Sequence, residues 1–163
     1  MVLSRMRRRR RTDAGSAAIE FALMAPLLLL LVFGIIAYGY MLSFRQALSQ
    51  GATEGARAAA VSAYPTPAQK VTDAVSGVND ALASYGVRCD LPVGGTAGTL
   101  RRNGAAVGSC AITPATCVNN ALASCMSVQV VYDYANHPLV PEVPGVGLML
   151  PNSLAYTAVA QVG

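Results

Sequence analysis

The sequence predicts an α+β protein: a long N-terminal helix that crosses a membrane and continues into a small domain with a second helix and a short antiparallel sheet. Three observations carry this expectation. No charged residue occurs from Phe21 to Leu42. An alanine-rich stretch without proline then runs to Ala63, and alanine is the strongest helix former. Near the C-terminus, β-branched and aromatic residues recur with partial alternation, the pattern of half-buried strands. The 163 residues leave room for one domain and an anchor. The chain divides into a basic leader (1–15), a helix (16–63) whose membrane part is 21–42, and an outer domain (64–163).

The 22 positions from Phe21 to Leu42 extend about 33 Å as a helix, against about 30 Å for a hydrocarbon core. Secretory h-regions are shorter, about 7–15 residues, and only the basic run supports a twin-arginine export signal. A membrane anchor fits better. Six arginines, Arg5 and Arg7 to Arg11, precede the span and face only Asp13 and Glu20. Their position puts the N-terminus in the cytoplasm and Ser43 onward outside. From Ser43 the six bases and six acids cancel. The net charge of +4 therefore belongs to the tail. A neutral outer domain offers no basic face, so nucleic acid is not an expected partner.

The helical pattern continues through "SFRQALSQGATEGARAAAVSAY" (43–64) and stops at "YPTP" (64–67), because proline lacks an amide donor and restricts the residue before it. Gly51 and Gly55, set among alanines, form a face that lets another backbone approach closely. That backbone is either the outer domain of the same chain or a neighbouring subunit. Pro26 removes one donor early in the apolar helix and is expected to bend it locally. A second helix starts with Thr66 as N-cap, Pro67 at the first position and Gln69 completing a capping box. Val71, Val75, Val78, Leu82 and Tyr85 form its apolar stripe and Gly86 ends it.

Residues 87–125 are glycine-rich and are expected to be irregular, with short strands at Thr99–Arg102 and Ala111–Thr113. "SVQVVYDY" (127–134) is the firmest strand. "HPLVPEVPG" (137–145) is expected as a loop because of its three prolines. "LAYTAVAQV" (154–162) alternates and is read as a terminal strand, with a short helix as the rival.

Cys89, Cys110, Cys117 and Cys125 all lie beyond the membrane, where two disulfides are expected in an oxidising compartment. Three pairings are open. Their spacings of 21, 7 and 8 residues and the lone His137 do not suit zinc, and no metal is expected. Catalysis has little to build on. There is one histidine, no nucleophile elbow and no phosphate-binding loop, and Asp133 and Glu142 read as solvated charges. Neither an enzyme nor a cofactor is expected.

The stretch "GSAAIEFALMAPLLLLLVFGII" (15–36) resembles the type IV pilin-like signal of the Flp/Tad class: a basic leader, a glycine, small residues, Glu-Phe, then a long apolar helix. With "ALSQGATEGARAAA" after it, the segment is similar more narrowly to the TadE-like minor pilins or pseudopilins of tight-adherence systems. "VQVVYDYANHPLVPEV" is similar to their distal pattern. The resemblance is good over about 14–62 and weaker over 127–162, and it does not cover the cysteine-bearing middle.

The resemblance implies a single-pass protein of the bacterial inner membrane with its distal domain in the periplasm. It implies that prepilin peptidase cuts after Gly15 and frees the amine of Ser16. Glu20 becomes the fifth residue of the mature chain, followed by Phe21, and can pair with that amine on its own or a neighbouring chain. The implied partners are other pilin subunits and the Tad assembly platform, and the implied role is pilus assembly for adhesion. A domain of about 100 residues would crowd a filament of this subunit alone, which favours a minor or accessory role. The alternative is a permanently anchored periplasmic binding or adhesion module.

Overall fold

The computed structural model describes residues 12–118, 120–140 and 151–162. The leader arginines, Glu142 and most of the expected proline loop lie outside them.

Helix α1 (Thr12–Val61) is one uninterrupted element of 50 residues, passing through Pro26. At 1.5 Å per residue it is about 75 Å long. Its two halves meet different surroundings. From Gly15 to Ile36 every residue is exposed except Ala25 and Gly34, which are half-buried. From Ala37 onward a buried stripe appears at helical spacing: Met41, Phe44, Leu48, Ala52, Ala56 and Ala59.

Helix α2 (Pro67–Leu82) returns along α1 and ends in a single 3-10 turn (Ala83–Tyr85). Gly86, at φ 65°, takes the left-handed position that stops it. Val71, Val78 and Leu82 are buried, and Val75 and Tyr85 pack beside them, so the stripe is core. The expected capping box does not form. Thr66 is the extended N-cap residue but makes no side-chain bond to the helix backbone. Its hydroxyl instead donates to the Gln69 side-chain oxygen.

The sheet is a five-stranded antiparallel meander in the order β1 (Val87–Asp90), β2 (Ala97–Arg102), β3 (Ala105–Cys117), β4 (Asn120–Asp133) and β5 (Ser153–Val162). The stretch expected to be irregular thus holds three strands and the start of a fourth, and the short strands expected at Thr99–Arg102 and Ala111–Thr113 are parts of β2 and β3. β2 turns into β3 at Asn103-Gly104, with φ 51° and 84°. Positive φ at both positions is the two-residue turn whose twist matches a hairpin, and Asn-Gly favours it. β3 tolerates Pro114 because the proline lies beyond Ala111, the partner of Ala97, which is the first residue of β2. Its missing N–H falls where β3 has no neighbour on that side. Between β1 and β2, Arg88 faces Arg101 directly. Asp90 relieves that repulsion by pairing with both, at 3.3 and 3.4 Å.

One sheet face packs on the helices. Val128, Val130 and Tyr132 of β4 alternate inward and are fully buried. The intervening Ser127, Gln129, Val131 and Asp133 face the other way. α1 lies over β4 and β5, and α2 over β1 and β3. Burying each large apolar side chain contributes roughly 1.5–3 kcal/mol, so this single interface between two helices and a sheet is what holds the domain to the anchor.

Candidate membrane and assembly surface

Two contacts fix how the sheet stands on α1. Phe44 meets Tyr132 edge-on, with ring centroids 4.7 Å apart. Eleven residues further along α1, the Cβ position of Gly55 lies 3.2 Å from a Val128 methyl carbon. The helix rises about 16 Å over that interval, and four residues of strand cover about 13 Å. β4 therefore runs nearly antiparallel to α1. The strands stand along the helix, with the Asn103–Gly104 turn and Tyr134 near the apolar half and the β3–β4 hairpin tip at the far end.

Gly51 and Gly55, the small-residue face, are taken up by the protein's own α2. A β-carbon at Gly51 would lie 3.4 Å from Leu82 Cγ, whereas one at Gly55 would meet Val78 Cγ2 at 2.6 Å and the Ala74 carbonyl at 3.0 Å. Gly77 of α2 answers from the opposite side, where a β-carbon would lie 2.9 Å from the Glu54 carbonyl oxygen. The two backbones approach as closely as paired glycines allow. Of the two partners open to this face in the sequence, the structure supplies the one within the chain.

Gly15, Ser16, Glu20 and Phe21 sit together on the exposed half of α1, clear of the domain. Phe21 is 74% exposed, and the apolar side chains from Ile19 to Ile36 form an uncovered apolar cylinder. Such a surface is far larger than a soluble monomer leaves in water. It is long and apolar enough to cross a membrane. Among the described residues it is the one helix of that kind, and it supports membrane anchoring at the N-terminal end.

The four cysteines form two disulfides, Cys89–Cys110 and Cys117–Cys125. Cys89 and Cys110 are buried and tie β1 to β3 across the start of β2. Gly98 makes that crossing possible, since a β-carbon there would collide with the Asp90 carbonyl. Cys117 and Cys125 clamp the outer part of the β3–β4 hairpin. Val118 and Leu122 beyond them are almost fully exposed. Between α2 and the β1–β2 loop lies a groove of about 750 Å³ lined largely by Val71, Val75, Leu91, Pro92 and Pro114. Among the described residues no three His, Cys, Asp or Glu side chains gather in a way that could hold a metal ion.

A cluster that no sequence pattern announces lies where the domain meets the apolar half of α1. Six of the seven tyrosines are there: Tyr38, Tyr40, Tyr85, Tyr132, Tyr134 and Tyr156. Tyr85 lies edge-on to both Tyr40 and Phe44, with centroids 5.8 and 5.0 Å away. The hydroxyls of Tyr85 and Ser43 are 2.6 Å apart. Arg45 Nε donates to the Tyr156 hydroxyl at 2.9 Å, which holds the guanidinium above its ordinary pKa. Burial pushes the Tyr132 and Tyr134 hydroxyls above the usual tyrosine range. Tyr132 donates to the His137 carbonyl, and Asn136 bonds to Asp133 hold that carboxyl below its usual value. His137 thus contributes through its backbone to the turn after β4.

Comparison with known proteins bears on the helix and not on the sheet. Residues 15–57 match the family model described as TadE-like protein. No curated protein and no solved structure matches the chain. The matched segment begins at Gly15 and ends four residues before α1 does. It takes in Glu20, the apolar cylinder and both interface glycines. Over residues 15–57, the N-terminal helix is similar to the TadE-like family.

Proposed function

We propose that the protein is a minor pilin or pseudopilin that acts in assembly of a Flp/Tad-type pilus, held in the bacterial inner membrane with its sheet domain in the periplasm. The observation that carries this reading is the start of the TadE-like segment at Gly15. The arginine-rich leader lies outside the matched residues, as expected of a part that prepilin peptidase removes. On cutting after Gly15, the Ser16 amine becomes a cation four residues from the Glu20 carboxylate. Near lipid such a pair is much less costly than either charge alone. Paired within one chain or between neighbouring helices, it sets the register in which apolar cylinders lie side by side.

The arrangement supports this role in two further ways. The exposed half of α1 stays free for lipid and then for other helices, while the domain is fastened to the other half only. The small-residue face is already occupied by α2, so contacts with other subunits fall to the N-terminal half and to the outer surface of the domain. In this reading the chain is structural, needs no cofactor and is not an enzyme. Its partners are the membrane, the peptidase, other pilin subunits and the Tad assembly platform.

Replacing Glu20 by Ala tests the role. Normal membrane insertion with loss of surface pili is the expected result. Normal pili with Glu20→Ala, together with loss of binding in domain variants, would instead identify a permanently anchored binding module.

A further inference from the structure

We propose that the tyrosine-ringed end of the domain seats directly in the outer lipid interface, with no stalk between bilayer and sheet, so that the hydrocarbon ends at about Ala37. The proposal rests on the reading of α1 as a membrane anchor. It adds where along α1 the bilayer stops and what part of the domain touches it.

Three independent observations converge on that level. First, burial begins abruptly: Ile35 and Ile36 are 65% and 56% exposed, whereas Ala37 is 5% and Met41 2%. Because α1 is unbroken from Thr12 to Val61, no hinge or linker separates the apolar cylinder from the folded domain. Second, the core that contains Met41 also contains Tyr134, with Leu139 packed against it, both from the non-strand backbone after β4. Irregular backbone is not tolerated facing lipid within hydrocarbon, since its polar groups would lose water without gaining partners. Hydrocarbon must therefore end below this turn. Third, the side chains that remain exposed at this level are aromatic with a polar tip. Tyr38 is 50% and Tyr40 41% exposed. Tyrosine is enriched at membrane–water boundaries for that amphipathic reason. One turn above them come the first polar contacts, Ser43 with Tyr85 and Arg45 with Tyr156. Arg45 and Arg102 at this end suit an anionic headgroup layer, with Asp133 as the opposing charge.

Counting from this boundary changes the position of the other end. About 20 residues cross a core of about 30 Å. From Ile36 this reaches back to Ala17 rather than Phe21. Glu20 then lies about 4–5 Å inside the inner edge of the hydrocarbon. A span counted only from the absence of charge would leave Glu20 in the headgroups. A span set by the domain draws it into the bilayer, where pairing with the Ser16 amine matters most.

The protein contains no tryptophan, which makes single-tryptophan variants clean depth probes. Phe33→Trp, Tyr38→Trp, Tyr40→Trp and Tyr64→Trp are reconstituted as the full chain in phosphatidylcholine–phosphatidylglycerol vesicles. The vesicles carry bromine either near the headgroup or near the chain end of the lipid. The expected result is stronger quenching of Tyr38→Trp and Tyr40→Trp by shallow than by deep bromines, a larger deep-to-shallow ratio for Phe33→Trp, which lies about 4–5 Å inside the edge, and none for Tyr64→Trp. Tyr40 touches Tyr85, so Tyr38→Trp gives the reading if Tyr40→Trp disturbs packing. Unquenched Tyr38→Trp with quenched Phe33→Trp would overturn the seat and leave the anchor standing. Deep quenching of Tyr38→Trp would overturn it in the other direction. Loss of all quenching at Phe33→Trp would remove the anchor reading itself, and the seat with it.

Discussion

Gly55 of α1 and Val78 of α2 lie so close that a β-carbon added to Gly55 would come 2.6 Å from Val78 Cγ2. No rotation of a single methyl relieves this, because the Ala74 carbonyl waits at 3.0 Å and a Val128 methyl at 3.2 Å. Gly51, one turn earlier, has Leu82 at 3.4 Å, an ordinary contact. Gly55→Ala is therefore expected to destabilise the domain by about 1–3 kcal/mol through overpacking. Gly51→Ala is expected to be near neutral or slightly stabilising, since alanine is better than glycine in a helix. Chemical denaturation of the two variants in detergent checks the contrast, and equal losses would mean that the helix crossing is looser than described.

Phe44 couples anchor to sheet. It is fully buried and lies edge-on to Tyr85 and Tyr132. Phe44→Ala leaves a cavity and is expected to cost about 3–5 kcal/mol. The loss appears as protease sensitivity of the sheet while the apolar half of α1 still inserts. Unchanged protease resistance would contradict the packing described.

The two disulfides are expected to differ in weight. Cys89–Cys110 closes 21 residues and is buried between strands. Cys117–Cys125 closes only 8, at the outer part of a hairpin. On chain entropy alone they contribute about 3.3 and 2.5 kcal/mol. Replacing the buried pair by alanine adds the cost of a core cavity. Thermal melts should fall further for the Cys89/Cys110 double variant than for Cys117/Cys125, and the reverse order would contradict this.

Alkaline pH should loosen the domain at its lower end. Tyr132 and Tyr134 have raised pKa values because burial disfavours the phenolate. A raised folded-state value contributes stability that is complete below the unfolded tyrosine pKa, about 10, and is lost as pH rises above it. Stability should thus be flat from neutral pH to about 9.5 and decline above 10. Tyr134→Phe should shrink that decline. A decline equally steep in Tyr132→Phe/Tyr134→Phe would place its cause elsewhere.

How far the sequence announced this structure depends on what each segment was built to satisfy. α1 was readable because an uncharged run and an alanine-rich run answer to length and composition alone. The alternation of Val128, Val130 and Tyr132, and of Leu154 through Val162, showed β4 and β5 for the same reason. β1 escaped, and β2 and β3 showed only as the short pieces Thr99–Arg102 and Ala111–Thr113, because their residues meet backbone rather than pattern. Gly98 and Gly108 lie where a β-carbon would strike the neighbouring strand's carbonyl, and such glycines look like loop residues in sequence. The Asn103–Gly104 pair was the local sign that a hairpin stood there. Of the candidate site, the Gly51–Gly55 face was visible but its partner was not, since small residues admit any close backbone. The tyrosine cluster was invisible because its members come from α1, the 3-10 turn, β4, the turn beyond it and β5. Only folding brings them to one level.

In the proposed function, the exposed half of α1 is the mature end of a pilin-like subunit. N-terminal sequencing of the protein extracted from membranes of cells with active prepilin peptidase tests it most directly. The predicted result is a mature chain beginning at Ser16, with Glu20 as its fifth residue, and an intact leader when the peptidase is inactivated. A chain that still begins at Met1 in cells with active peptidase would contradict the claim.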